Sequence, residues 1–210
     1  MKLYNIILTT PIAHLNGYVI KAAGGSPLTV LGGMEVTTKE EAHVLAIFES
    51  LDDLKALEAK VCSSLTGEND EKLFGCQAIV NEQGEVLGFN SRLLINATGI
   101  SLADLTGLIH SLRGIAIASH IDRPYYSVLS QLGFIPEDAA FDALEISASL
   151  KIALARKRYP ALDKYRFIAS SDAHYLRDIG RAFTGMRLEQ ASFAEIRMAL
   201  EGKNGRCIAE

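Results

Sequence analysis

A mainly parallel α/β domain is the fold class this chain predicts, and three observations carry the prediction. Short apolar runs, too short for helices, alternate with longer amphipathic stretches. The 210 residues suit one hydrophobic core. Several runs end in clusters of His, Asp and Arg, as the strand ends of α/β barrels do.

The predicted strands are 3–8, 28–31, 43–48, 115–119, 141–146 and 166–169, each apolar and partly β-branched or aromatic. The predicted helices are 51–65, 101–112, 146–159 and 192–200. Ser50 reads as the N-cap of the first, with Asp52 and Asp53 in its first turn. The second opens on Ser101-x-x-Asp104, close to a capping box, and the last on the capping box Ser192-x-x-Glu195. One stretch departs from the alternation. Residues 76–80 and 85–89, joined through Asn81-Glu82-Gln83-Gly84, read as a β-hairpin insertion. No repeat, low-complexity tract or linker interrupts the chain, so 1–210 reads as a single domain.

Composition narrows the function. With 49% hydrophobic and 22% charged residues the chain is of ordinary globular type. A net charge of −4 argues against binding nucleic acid or membranes through bulk charge. No run approaches the ~20 apolar residues of a membrane helix. Residues 1–8 read as a buried strand and not a signal core. Cys62, Cys76 and Cys207 are odd in number and widely spaced, which suits free thiols in a reducing cytoplasm.

Three polar clusters could carry metal chemistry, which draws carboxylates and imidazoles from separate elements. In Asp172-Ala173-His174 the two ligand types sit two apart and share one side of an extended chain. The plain alternative is a helix N-cap and a polar turn. His120, in His120-Ile121-Asp122-Arg123-Pro124, directly follows a buried run, and Arg123 offers a forked donor suited to phosphate. The plain alternative is an Asp122–Arg123 loop ion pair and an edge histidine. Glu35 follows Gly32-Gly33-Met34, where backbone can approach a ligand closely, and His43 opens a strand after a short return. Either alone reads as a surface residue. His14 and His110 read as structural. Walker loops, Gly-x-Ser-x-Gly elbows and Gly-x-Gly-x-x-Gly turns are absent from the sequence.

Four segments together resemble the PHP (polymerase and histidinol phosphatase) family, in particular its small bacterial phosphoesterases. They are Gly33-Met34-Glu35-Val36-Thr37-Thr38 with Glu41-Ala42-His43-Val44-Leu45; Leu94-Ile95-Asn96-Ala97-Thr98; Ala118-Ser119-His120-Ile121-Asp122-Arg123-Pro124; and Ser170-Ser171-Asp172-Ala173-His174-Tyr175. The resemblance spans residues 28–190. It implies a distorted (β/α)7-type barrel with one to three divalent ions, Zn, Mn or Fe, at its mouth. Glu35, His43, His120, Asp172 and His174 are the implied ligands, and Arg123 and Asp172 the implied catalytic residues. The implied activity is hydrolysis of a small phosphorylated substrate, a nucleotide or an oligonucleotide, by metal-activated water in the cytoplasm.

The resemblance also has a gap. The family opens with His-x-His on its first strand and Thr-Asp-His on its second. Here the chain reads Ile7-Leu8-Thr9-Thr10-Pro11, and the Gly-Met-Glu motif arrives early. The expectation is a barrel incomplete at its N-terminal strands, with an exposed edge, a smaller closure or a homo-oligomer covering it. Two other functions stay open: a degenerate, non-catalytic binding or regulatory module, and a barrel metallohydrolase acting on C–N bonds.

Overall fold

The computed structural model describes residues 6–7, 13–81 and 83–209. The chain begins with β1 (Ile6–Ile7), α1 (Ala13–Ala22), β2 (Thr29–Val30), β3 (Gly32–Thr37), β4 (His43–Phe48) and α2 (Leu51–Ser64). An insertion follows with α3 (Glu71–Phe74), β5 (Ala78–Val80) and β6 (Val86–Phe89). The remainder is α4 (Leu102–Ser111), β7 (Ile115–Ala118), α5 (Val128–Leu132), β8 (Ala143–Ile146), α6 (Ile152–Arg158), β9 (Phe167–Ala169), β10 (Met186–Arg187), α7 (Phe193–Glu201) and β11 (Cys207–Ile208).

The central sheet runs β3-β4-β7-β8-β9. Its first two pairings are antiparallel and its last two parallel. It is therefore a mixed sheet, and the mainly parallel expectation needs correcting. The cause lies in the turn between Thr37 and His43. Thr38 and Ala42 close it, with the Thr38 amide donating to the Ala42 carbonyl at 2.9 Å and the Ala42 amide to Thr38 Oγ1 at 3.3 Å. That return is far too short for a crossover, so 32–37 and 43–48 must pair as a hairpin. β3, β7, β8 and β9 then point one way and β4 runs against them.

Among the described residues the sheet is open, with β3 and β9 at its ends. The predicted first strand lies mostly outside the described residues. Its described part, β1, pairs in parallel with β2. The edge at Gly33 is not bare. Asn16, buried on α1, donates to the Gly33 carbonyl at 2.8 Å and accepts from its amide at 3.1 Å, taking the place of a neighbouring strand. The hairpin insertion forms as expected, with β5 and β6 antiparallel.

Side-chain alternation divides the sheet into two faces. Met34, Val36, Val44, Ala46, Phe48, Leu144, Ile146 and Phe167 meet Leu54 and Leu57 of α2 and Leu105 and Ile109 of α4. Leu31, Ile47, Ile115, Ile117, Ala143 and Ile168 meet Phe193, Ile196 and Leu200 of α7. The caps behave largely as their chemistry dictates. Ser50 Oγ accepts from the Asp52 and Asp53 amides, and Ser101 Oγ from the Asp104 amide. Ser192 accepts from the Glu195 amide, but the Glu195 carboxylate turns to the Glu189 amide and Arg206 instead of completing the box. The predicted helix 146–159 shortens to α6, because Ile146 belongs to β8 and a turn follows it, in which the Leu150 amide donates to the Ser147 carbonyl at 3.1 Å.

Candidate metal centre

The α7-facing side of the sheet changes character along its length. At one end it is apolar. Continuing the same alternation, it reaches Glu35 on β3, His43 on β4, Ser119 just past β7, Glu145 on β8 and Ser170 just past β9. Four of these positions lie toward the C-terminal ends of co-directional strands. His43 joins them because β4 runs backwards and begins where the others finish. Glu35 pairs across the hairpin with Leu45, and Thr37 with His43. Glu35 and His43 are therefore diagonal neighbours on one face, within reach of long side chains.

His120 completes the group from the corner after β7. It is 3% exposed and adopts φ 29°, a left-handed region that costs a non-glycine residue strain. Its Nε2 lies 3.7 Å from Glu35 Oε1, and His43 Nδ1 lies 3.3 Å from Glu35 Oε2. Among the described residues, Glu35, His43 and His120 form the one group of three His, Cys, Asp or Glu side chains whose ligand atoms all lie within 4.8 Å of one another. The two imidazoles meet edge to face at 5.3 Å. Tyr126 stacks on His43 at 4.8 Å, and its carbonyl accepts from the His43 amide.

The electrostatics favour metal-ready forms. Burial raises the Glu35 pKa, but the close imidazole and charge of His43, the Ser119 hydroxyl and the charge of His120 outweigh it and bring it to about 2. His120 is pushed down, chiefly by burial, with the Arg123 and His43 charges adding to it against Glu35 and Asp172. One carboxylate beside neutral imidazole is the state that ligates a divalent ion. His43 Nδ1 is buried without a hydrogen-bond partner, although it faces Glu35. A metal would supply the missing partner, so the donor set fits one. A cavity of about 40 Å³ adjoins Glu35, with Thr37, Glu58, Asn96 and Thr98 among its walls.

Not every predicted ligand reaches this group. Asp172, with φ 44°, forms an ion pair with Arg123 at 2.8 Å. His174 is largely exposed, with Nδ1 3.0 Å from the Asp172 carbonyl and 3.9 Å from its carboxylate. The Asp122–Arg123 loop pair does not form. Asp122 instead accepts from the Ser147 amide and hydroxyl, both at 2.7 Å. A Cβ on Gly33 would lie 2.8 Å from the Ala46 carbonyl oxygen, and one on Gly32 would lie 3.0 Å from Leu54, so these glycines serve close packing. His110 bonds Asp142 at 2.9 Å, consistent with a structural role, while the His14 side chain lies outside the described residues.

A family model described as PHP-associated matches residues 157–205, the segment holding Asp172 and His174. The structure resembles the lesion-specific endonuclease EndoQ of Pyrococcus furiosus, with TM-score 0.72 and 19% identity over 97% of this chain and 49% of that one. It also resembles a Bifidobacterium adolescentis protein assigned as a metal-dependent phosphoesterase, with TM-score 0.54 and 15% identity over 91% of this chain and 83% of that one. The family-model match is confined to 49 residues, and the two solved structures share the fold of this chain. In sequence, the chain is 31% identical over 119 residues to the uncharacterized Bacillus subtilis protein YqxK, covering 54% of this chain. The chain spans 30% of that relative's length. No described helix is long and apolar enough to cross a membrane.

Two contributors escaped the sequence reading. Glu145, 4% exposed, accepts from the His120 amide at 3.1 Å and from the Ser170 hydroxyl. Burial pushes its carboxyl up to about 7, against the lowering effect of those two bonds. Together with Asp142 it interrupts the apolar run 141–146, and a charge within such a run is the available signal. Tyr126 carried none.

Proposed function

We propose that this chain binds a divalent metal through Glu35, His43 and His120 and hydrolyses a phosphodiester there. The convergence of these three side chains at one end of the sheet, with His43 Nδ1 buried 3.3 Å from Glu35 Oε2 but without a hydrogen bond, carries the reading. When bound, the metal would act as a Lewis acid and lower the pKa of a bound water. Glu35 is held as a carboxylate, and His120 is held neutral by burial. Arg123 is half-exposed and steadied by Asp172, so it can turn its remaining donors to a phosphoryl oxygen. Asp172 and His174 would offer a second, incomplete position.

The likeness to an endonuclease favours a nucleic-acid phosphodiester over a small phosphate ester. A second solved structure of endonuclease Q holds a 27-mer duplex with an abasic lesion at its active site, and matches with TM-score 0.68 at 20% identity. It covers 96% of this chain and 49% of the endonuclease chain. On this reading the 210 residues form one PHP-type domain, a barrel incomplete at its first strands, acting in the cytoplasm and covering its open edge by self-association. The test is turnover of bis-p-nitrophenyl phosphate and of an abasic-site duplex in the presence of Mn2+, beside His120→Ala. Metal-dependent turnover lost in the variant supports the reading. Turnover equal in both refutes it.

A second reading rests on the ion pair that occupies Asp172 and on the exposure of His174. With those two outside the convergent group, the chain would serve as a metal-binding module without catalysis. Stoichiometric Mn2+ binding without turnover of either substrate would select it.

A further inference from the structure

Two corners that carry predicted ligands, His120 after β7 and Asp172 after β9, adopt left-handed backbone, with φ 29° and 44°. Non-glycine residues persist there only where surroundings over-determine them. Between the two corners stands β8, and Glu145 on it touches both. Its Oε2 accepts from the His120 amide at 3.1 Å, and its Oε1 accepts from the Ser170 hydroxyl. Its carbonyl also accepts from the Ile121 amide at 2.8 Å. Two residues on, Ser147 holds Asp122 through two bonds of 2.7 Å. The Arg123–Asp172 ion pair then closes the loop between the corners. Every link runs through β8 or from one corner to the other.

We infer that Glu145 is a positioning residue, a buried strut that fixes the His120 corner and the Ser170–Asp172 corner relative to each other. It is not a member of the group Glu35, His43 and His120. A charge-bearing side chain is otherwise costly at 4% exposure. Its two bonds explain its place, because no apolar residue could accept from both corners. The metal-binding consequence rests on the function proposed above, whereas the strut itself does not.

The test compares Glu145→Ala, Glu145→Gln and Ser170→Ala in the full chain. Amide hydrogen exchange reads the corners, and Mn2+ titration reads the centre. Glu145→Ala should speed exchange at His120 and across 170–172, and should weaken Mn2+ affinity by about 10–100-fold, as losing a ligand's supporting partner does. Glu145→Gln keeps an acceptor for the His120 amide and offers its NH2 as a donor to Ser170 Oγ, so exchange and affinity should stay near wild type. Ser170→Ala should loosen 170–172 and leave the His120 amide protected, and it reads the strut even if Glu145→Ala fails to fold. Wild-type exchange at both corners in Glu145→Ala would overturn the inference, as would equal protection at 170–172 in Ser170→Ala. If wild type binds no Mn2+, the metal reading fails while the exchange data still decide the strut.

Discussion

Alanine at Gly33 would strike the hairpin that brings Glu35 to His43. The added Cβ would lie 2.8 Å from the Ala46 carbonyl oxygen, a backbone atom that cannot rotate away. Reaching ordinary contact at 3.4 Å requires the strands to part by the difference, about 0.6 Å. Overpacking of this kind costs roughly 1–3 kcal/mol. Glu35 lies two residues further along the same face, where the 3.3 Å contact to His43 would open with the strands. Misplacement by ~1 Å can cost ~100-fold in a catalytic site, so 0.6 Å predicts about a tenfold loss of Mn2+ affinity. Gly32→Ala is the control, because its Cβ meets the ends of the Leu54 and Leu51 side chains, which can move. Denaturant unfolding and Mn2+ titration on the same preparations measure both effects. Wild-type values for Gly33→Ala in both measurements, or an equal loss of affinity in Gly32→Ala, would refute this.

Other outcomes follow from the same geometry. Arg123→Ala should lower turnover by about 100-fold while metal content stays at the wild-type level, since its guanidinium binds Asp172 and is not a ligand. Steady-state kinetics with elemental analysis would check this. Phe167→Ala, at a fully buried position on β9, should cost about 3–5 kcal/mol in denaturant unfolding. In the metal-free protein, Glu145 should make stability fall with rising pH. Its folded pKa of about 7 exceeds the reference 4.5, so its favourable contribution is complete below pH 4.5 and lost as pH rises through 7. The full swing is roughly 3 kcal/mol. Between pH 4.5 and 8 the stability difference between wild type and Glu145→Gln, read from unfolding midpoints, should shift against wild type as pH rises, with the lowered His120 pKa acting in the opposite sense in both proteins. Glu35, lowered to about 2, acts in the opposite sense, and its contribution disappears as pH falls from 4.5 through 2.

Much of this molecule can be read from its sequence, and the limits have physical causes. Residues 43–48 form a strand with the predicted bounds, because the apolar run is β-branched and ends at the Ser50 cap. β3 was hidden. Gly32-Gly33 has low strand propensity, and its glycines signal a loop until one sees that the Ala46 backbone leaves no room for a Cβ. The antiparallel course of β4 follows from the short turn at Thr38–Ala42, yet strand–helix alternation pointed to parallel pairing. Glu35, His43 and His120 were recognisable one by one as weak candidates, and the resemblance joined them. Their convergence depends on which strands are neighbours, and no spacing encodes that. Asp172 and His174 share one side of an extended chain, but a period-two rule does not tell that Asp172 turns to Arg123. Glu145 is marked in the sequence only by its charge within an apolar run, because its partners lie 25 residues away on either side.

The central claim is that Glu35, His43 and His120 hold a metal. Elemental analysis of purified protein, wild type beside His120→Ala, tests it most directly. One divalent ion per chain is expected in wild type and close to none in the variant. No ion in wild type, or the same content in both proteins, would contradict it.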